Sequence, residues 1–191
     1  MTTRERILDE TLTLFAENGY DGTSVEQIAE KVGIKAPSLY NHFDSKETLI
    51  REMYEYVREQ SKADIPASLP DYDDKTAYEI LSAYVGNYGQ MVSSGALLNF
   101  YKVIYSERTT NPDAAQILIE ETNKMVAATR ALFQVLVEQG KLKIDDIDNA
   151  ALSFAMTIHS LIDYELDCTQ AGEQYDESQI QSYIKWFCNQ N

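Results

Sequence analysis

The sequence has few of the residues from which catalytic sites and cross-linked folds are built. Its 191 residues include two cysteines and two histidines. Two cysteines are too few for a disulfide framework, and His42 and His159 stand too far apart in the chain to favour a histidine-centred metal or catalytic site. The motifs HExxH, CxxC, GxGxxG and GxSxG and the P-loop motif are missing, so the sequence favours no enzyme class.

Long apolar runs and basic residues are also scarce. No stretch of about 18 apolar residues occurs, so we expect no transmembrane helix. The N-terminal stretch MTTRERILDE lacks the apolar core of a signal peptide, which predicts a cytoplasmic protein. Only 16 basic residues face 31 acidic ones, and the net charge is −15. This charge disfavours nonspecific coating of nucleic acid or membranes but leaves room for a small basic face.

Apolar residues recur at spacings of three and four, which predicts an all-α protein of about nine helices. Ser24 with Gln27, and Thr23 with Glu26, form the capping-box pattern that starts a helix. Asp44 is predicted to cap a later helix. The predicted helices are residues 4–18, a second ending before Gly33, a short one beginning near Pro37, and 46–62, 74–92, 95–107, 112–139, 145–168 and 177–188.

Residues 23–50 predict a helix-turn-helix, because two short helices flank a turn that contains glycine. Leu39 and Phe43 stand four residues apart and would anchor the second helix to the core, while Pro37 and Asn41 point away. The window 31–46 holds three lysines against one aspartate. Such a motif places its second helix in the major groove of DNA.

The N-terminal 47 residues from Arg4 to Ile50 resemble the TetR-type (TetR/AcrR) transcriptional regulators. The resemblance is carried by FAENGY, TSV, IA, VGI, LYNHF and SKETL in that order. It implies a helix-turn-helix DNA-binding domain over residues 1–45 and a connecting helix and linker over 46–73. The remaining residues, 74–191, would form a helical effector-binding and dimerisation domain.

The resemblance also implies which residues contact DNA. Hydroxyls at the start of the second helix would hold a phosphate, Tyr40 would reach the sugar-phosphate backbone, and Lys35 and Asn41 could read base edges. The full predicted DNA-binding set is Thr23, Ser24, Lys35, Ala36, Pro37, Ser38, Tyr40, Asn41, His42 and Lys46. Simpler roles stay open at this point: Thr23 and Ser24 could only cap a helix, Tyr40 could pack, and His42 could be an ordinary surface histidine.

Aromatic and methionine residues in the second half predict an apolar effector site between helices. The candidates are Tyr84, Tyr88, Met91, Phe100, Tyr101, Tyr105, Met125, Phe133, Met156, His159 and Asp163. Each of them could instead belong to the core. Asp163 and Asp167 would favour a cationic ligand if buried, and would be a solvated acidic face if exposed.

The last two helices predict a homodimer interface. The candidates are Leu152, Met156, Ile180, Tyr183, Ile184 and Phe187, and the alternative is that the same stripe covers the core of one protomer. A two-fold dimer would present two recognition helices to a palindromic operator.

Together these features predict an effector-responsive repressor that binds double-stranded operator DNA as a homodimer, with an unknown small-molecule effector, no cofactor, no metal and no membrane partner. The alternative is a helical DNA-binding regulator controlled by a protein partner or by oxidation of Cys168 and Cys188. An enzyme is the less favoured class.

Overall fold

The computed structural model describes residues 1–62, 74–92 and 95–191. Within these ranges the chain forms nine α-helices and no strands, which confirms the all-α prediction. None of the helices in the described ranges has the length and hydropathy needed to cross a membrane. The helices are α1 (Thr3–Asn18), α2 (Val25–Val32), α3 (Ala36–Leu39), α4 (Thr48–Lys62), α5 (Ala77–Val92), α6 (Gly95–Glu107), α7 (Pro112–Glu138), α8 (Ile147–Ala171) and α9 (Ser178–Gln190).

Local capping sets the start and end of α2. Ser24 is the N-cap and forms a complete capping box with Gln27, and Gly33 ends the helix in the left-handed conformation with φ of 78°. A left-handed residue at this position suits glycine, which has no Cβ to clash. Of the two possible boxes in the sequence, the chain therefore uses the one that begins at Ser24.

The start of α4 differs from the prediction. The helix begins at Thr48, and Ser45 rather than Asp44 accepts the backbone N–H of Thr48 at 3.4 Å. The Thr48 hydroxyl donates to the carbonyl of Ser45 at 2.8 Å. A hydrogen bond with the side chain of Ser45 is the main cause that lowers the pKa of the Glu47 carboxyl. The serine one residue later is placed to do the capping, so the Asp44 prediction was wrong.

Helices α1–α4, α6 and the first turns of α7 form one compact unit. Helix α6 packs against both α1 and α4, and the rings of Tyr54 and Phe100 lie 5.9 Å apart between centroids. Arg51 of α4 donates to both carboxylate oxygens of Glu120 at 3.1 and 3.3 Å. The predicted functional division at residues 45 and 73 stays a prediction, but α6 and the start of α7 complete the core of this N-terminal unit.

Helix α5, the rest of α7, α8 and α9 belong to a second compact unit. Its centre is a cluster of three phenylalanines from three helices. Phe154 lies 5.3 Å from Phe133 and 4.8 Å from Phe187, and Phe133 and Phe187 stack at 5.2 Å, all between ring centroids. Aromatic contacts of this kind add to the stabilisation from buried area. The cluster holds α7, α8 and α9 together.

The core of the first unit contains one hydroxyl without a partner among the described residues. Thr11 of α1 is fully buried, and its Oγ1 has no hydrogen-bond partner. Burying an unsatisfied hydroxyl costs about 1–3 kcal/mol. By contrast, Thr13 in the same helix donates to the carbonyl of Asp9 at 3.1 Å.

We predict that Thr11→Val stabilises the protein by about 1 kcal/mol, because the methyl replaces a hydroxyl that gains nothing from burial. The melting temperature should rise by roughly 2–4 °C in calorimetry. The matched control is Thr13→Val in the same helix, which should give no such increase. An unchanged or lower melting temperature for Thr11→Val would contradict the assignment.

Candidate functional site

Helix α3 is short and is positioned by its apolar side. Leu39 is fully buried and Phe43 is 4% exposed, and the guanidinium carbon of Arg4 lies 5.1 Å from the centroid of the Phe43 ring. Pro37 stands in the first turn, where the missing N–H costs no hydrogen bond. Because Leu39 and Phe43 are buried on one side of α3, the opposite side of the helix faces outward.

That outward side carries most of the residues predicted to contact DNA. Tyr40 is 53% exposed, which leaves its phenol able to meet a phosphate or a sugar. Lysine, asparagine and histidine supply hydrogen-bond donors for phosphates and base edges. The exposed members of the set are Lys35, Pro37, Tyr40, Asn41 and His42, and the half-buried members are Ala36 and Ser38. The structure thus brings seven of the ten predicted residues together on α3 and the residues directly before and after it.

Ser24 and Thr23 have different surroundings at the start of α2. Ser24 is half-buried and its hydroxyl accepts the backbone N–H of Gln27 at 3.2 Å. Thr23 is 1% exposed, and its hydroxyl lies 3.0 Å from the carbonyl of Gly19 and 3.2 Å from that of Leu14. The Thr23 hydroxyl faces inward and braces the turn between α1 and α2, and the predicted phosphate contact of this residue stays a prediction.

Lys46 is held at the same turn. Its ammonium donates to the carbonyl of Tyr20 and lies 4.1 Å from the centroid of the Tyr20 ring. Burial raises the pKa of the Tyr20 phenol, and the carboxylates of Glu47, Asp21 and Glu107 raise it further. The neutral ring therefore offers Lys46 a cation–π contact. The predicted phosphate contact of Lys46 stays a prediction.

We predict that Thr23→Val lowers the free energy of unfolding by about 1–3 kcal/mol, because a buried hydrogen-bonded hydroxyl is lost. Thr23→Ser, which keeps the hydroxyl, should retain most of that stability. Urea denaturation of both variants measures the difference. If Thr23→Val instead unfolds like the unmodified protein but binds DNA more weakly, the hydroxyl contacts phosphate after all.

A narrow apolar cavity lies inside the second unit, between α5, α7 and α8. Three of the predicted ligand residues, Tyr84, Tyr88 and Met125, line it. Sequence reasoning missed Thr129, which also lines it and stands one helical turn after Met125. The complete lining is Tyr84, Val85, Tyr88, Met125, Thr129, Phe154, Ala155 and Ile158. The spacing of four from Met125 to Thr129 was the available signal, but a buried threonine has none of the aromatic character on which the prediction relied.

Two further predicted residues adjoin the cavity through Tyr88. The Tyr88 hydroxyl lies 3.2 Å from Nδ1 of His159, and Nε2 of His159 lies 3.6 Å from Oδ2 of Asp163. These side chains form a polar chain from the cavity wall toward the surface. Asp167, which sequence reasoning placed beside Asp163, is exposed.

Six predicted ligand residues do not line this cavity. Phe100, Tyr101 and Tyr105 belong to α6 in the first unit. Phe133 is fully buried in the phenylalanine cluster, and Met156 is 41% exposed. The sixth is Met91, at the end of α5. Apolar periodicity shows that these residues are buried or face a partner, but not which helix covers them.

The predicted dimer residues divide into a surface group and a core group. Leu152 and Met156 on α8 are 47% and 41% exposed, whereas Ile184 and Phe187 are buried within the protomer. Trp186 on α9 is 56% exposed, and its ring stacks on Tyr183 with centroids 5.8 Å apart. The remaining predicted residue, Ile180, is half-buried. Since a buried side chain cannot meet a partner, any interface here would use Leu152, Met156, Tyr183 and Trp186.

The two cysteines are poorly suited to redox sensing. Cys168 is buried and Cys188 is partly buried, and both are free thiols. Burial raises the pKa of the Cys188 thiol, which lowers its thiolate fraction and its reactivity. Among the described residues, no group of three histidine, cysteine, aspartate or glutamate side chains is placed to hold a metal ion.

Two family models match the chain. Residues 7–53 match the model described as bacterial regulatory proteins of the tetR family. Residues 79–187 match the model described as the C-terminal domain of AefR-like transcriptional repressors. The first match covers most of α1, all of α2 and α3 and the start of α4, and the second covers the helices that enclose the cavity.

Curated relatives match over a short segment. The IcaR protein of Staphylococcus aureus strain Newman, a negative transcriptional regulator of the biofilm operon icaADBC, is 49% identical over 49 residues, which are 26% of this chain and 26% of that protein. IcaR of Staphylococcus epidermidis is 46% identical over 52 residues, or 27% of this chain and 28% of its own. The matched segment thus spans about a quarter of the length of either relative.

Solved structures match over nearly the whole chain. A TetR-family regulator from Rhodococcus sp. has a TM-score of 0.72 at 16% identity, covering 98% of this chain and 97% of that one. MexZ, a repressor responsible for antibiotic resistance in Pseudomonas aeruginosa, has a TM-score of 0.68 at 18% identity, with coverages of 98% and 93%. At these identities the likeness shows a shared fold.

Proposed function

Because this chain belongs to the TetR family of bacterial regulatory proteins, we propose that it is a transcriptional repressor that binds operator DNA as a homodimer and releases it when a small molecule binds. The family is one of regulators and not of enzymes. The cytoplasm, where bacterial DNA lies, is the compartment in which this function would operate.

The observation that carries the DNA-binding part is the outward side of α3. Its polar residues stand on an element whose other side is buried through Leu39 and Phe43. The surrounding window 31–46 is net positive within a chain of net charge −15. A local positive face on an acidic protein would attract DNA there and discourage contact elsewhere.

Within this proposal, the residues on and next to α3 and at the start of α2 have different tasks. Tyr40, His42 and Ser24 would contact the sugar-phosphate backbone and set the register of the helix in the groove. Lys35 could contact guanine O6 or N7, and Asn41 could pair with adenine N6 and N7. Pro37 would contact a thymine methyl.

Repression would be relieved by a shift between two conformations of the dimer. Helix-turn-helix dimers bind half-sites separated by one helical turn of DNA, about 34–36 Å. A ligand could favour a dimer conformation in which the two recognition helices have a different separation. Operator binding would then weaken by an amount set by how much more tightly the ligand binds that conformation than the DNA-binding one. Control by thiol oxidation is the weaker alternative, since the pKa of Cys188 is raised by burial.

The proposal is tested by fluorescence anisotropy of the purified protein with its own upstream DNA, measured across a salt series. Saturable binding above that of random DNA, with affinity falling steeply as salt rises, is expected for phosphate contacts. If the protein does not bind its upstream DNA, selection of bound sequences from random DNA would identify an operator elsewhere. Failure of both experiments would contradict DNA-binding function.

We predict that Tyr40→Ala weakens binding to all DNA sequences by about tenfold or more, because a hydrogen bond to a charged phosphate is lost. Asn41→Ala and Lys35→Ala should in addition change the preferred sequence. Tyr78→Ala is the matched control, since Tyr78 is an exposed tyrosine of α5. Equal operator affinity for Tyr40→Ala and the control would overturn the phosphate contact.

We predict that Met156→Glu shifts the protein from dimer to monomer in sedimentation velocity, because a charge would be buried in the apolar interface. The control is Ile119→Glu, since Ile119 is a comparably exposed apolar residue (54%) on α7. A dimer that persists in Met156→Glu, or is lost equally in Ile119→Glu, would place the interface elsewhere.

A further inference from the structure

The family resemblance implies a phosphate contact for Lys46, but the surroundings of its ammonium favour another role. We propose that Lys46 is a positioning residue, which ties the segment after α3 to the turn between α1 and α2 and stays there when DNA binds. It would thereby hold Ser24 and Tyr40 at the separation that their contacts with the sugar-phosphate backbone require. The inference rests on the proposed function, because it assigns Lys46 a role in operator binding.

The first argument is that the Lys46 ammonium already has partners. It donates to the carbonyl of Tyr20 at 2.5 Å. It also lies 4.1 Å from the centroid of the Tyr20 ring and 5.7 Å from that of the Phe15 ring. The two rings pack edge to face with their centroids 5.1 Å apart. A cation over aromatic rings is stabilised by their electrostatic field, and the ammonium would lose that stabilisation by turning to a phosphate.

The second argument is the negative charge around Tyr20. Burial raises the pKa of its phenol, and the carboxylates of Glu47, Asp21 and Glu107 raise it further. The ring that holds the Lys46 ammonium is therefore a ring on which three carboxylates act. A phosphate that approached this ammonium would also approach these acids, and like charges repel. The site thus suits a lysine that stays with the protein better than one that receives a phosphate.

The third argument is that the turn which receives Lys46 is tightly packed. The Tyr20 carbonyl also accepts the backbone N–H of Thr23 at 3.3 Å, directly before Ser24, the N-cap of α2. A Cβ added at Gly22 would lie 2.2 Å from the carbonyl oxygen of the last residue of α1, so a side chain there would force the backbone to shift. A single carbonyl in a fixed turn therefore links Lys46 to the start of α2.

The fourth argument is the place of Lys46 in the chain. It follows the buried anchor Phe43 by three residues, and its own carbonyl accepts the backbone N–H of Leu49 in the first turn of α4 at 3.1 Å. The Lys46 side chain therefore connects the end of α3 and the beginning of α4 with the start of α2. Contacts with the DNA backbone fix how a protein sits on the duplex, so loss of this connection would weaken operator binding without removing a phosphate contact.

Salt dependence separates the two roles of Lys46. Loss of a lysine that neutralises a phosphate lowers the slope of log affinity against log salt concentration by about 0.9, and it weakens binding of operator and random DNA alike. For Lys46→Met we instead expect operator affinity to fall about fivefold or more, through loss of a hydrogen bond from a charged group. Affinity for random DNA should fall less, and the salt slope should change by less than about 0.3.

Lys102→Met is the matched control, since Lys102 is an exposed lysine of α6 in the same compact unit. It should change neither the operator affinity nor the salt slope. A slope reduced by about 0.9 in Lys46→Met, with operator and random DNA equally weakened, would overturn the positioning role.

Variants of Tyr20 test the same contact while the lysine charge stays in place. Tyr20→Leu removes the ring beside the ammonium and should weaken operator binding, whereas Tyr20→Phe keeps the ring and should retain most of the affinity. In the double variant Tyr20→Leu/Lys46→Met the two losses should not add, because both changes break one contact. Unchanged operator affinity for Tyr20→Leu, or fully additive losses, would contradict the proposal.

A measurement on the unmodified protein decides the question if a variant fails to fold. Protons above an aromatic ring resonate upfield, so the ε protons of Lys46 should be shifted upfield in NMR spectra of protein that contains carbon-13-labelled lysine. The signal is assigned by its absence from Lys46→Arg. We expect the shift to persist when operator DNA is bound. Its absence from the free protein, or its loss on DNA binding, would overturn the proposal.

Operator binding by the unmodified protein is established first. If the protein binds an operator and Lys46 behaves as a phosphate contact, the positioning role alone is wrong. If the protein binds neither its upstream DNA nor any sequence selected from random DNA, the proposed function fails and the positioning role fails with it.

Discussion

An isolated helix as short as α3, with four residues, is far below the length at which helices are stable in water. Its conformation depends on the burial of Leu39 and Phe43 against the other N-terminal helices. The backbone N–H groups of Ser38 and His42 donate to the carbonyls of Lys35 and Leu39, respectively. These hydrogen bonds add to the stability that the burial of the two side chains provides. Everything proposed for the exposed side of α3 follows from that burial, because the outward residues are held in place by the inward ones.

The sequence was most informative where one local pattern decides one local structure. The spacing of Leu39 and Phe43, the box of Ser24 with Gln27 and the stop at Gly33 each depend on neighbours within one turn, and the structure contains all of them. The outward set on α3 came from the family resemblance combined with this helical geometry. Its DNA contacts themselves remain proposals.

The sequence was less informative where a residue's partner is distant in the chain. The sequence pattern predicts that the Thr23 hydroxyl contacts DNA or caps a helix. In the structure this hydroxyl instead donates to the carbonyls of Leu14 and Gly19 at the end of α1. Phe100 reads as an effector contact, but its side chain packs on Tyr54 of α4. Thr129 shows the converse, because only the meeting of α5, α7 and α8 makes a buried threonine part of a cavity. Periodicity identifies the side of a helix that is covered, and tertiary packing decides what covers it.

Helix α7 belongs to both compact units, with Glu120 bound to Arg51 in one and Thr129 at the cavity in the other. In a continuous helix, one inserted residue turns all later side chains by about 100° relative to the earlier ones. An insertion or deletion of one residue between these two positions would therefore change the angle between the Glu120 and Thr129 side chains about the axis of α7 by about 100°. The number of residues between Glu120 and Thr129 therefore sets which side of α7 faces Arg51 and which side lines the cavity.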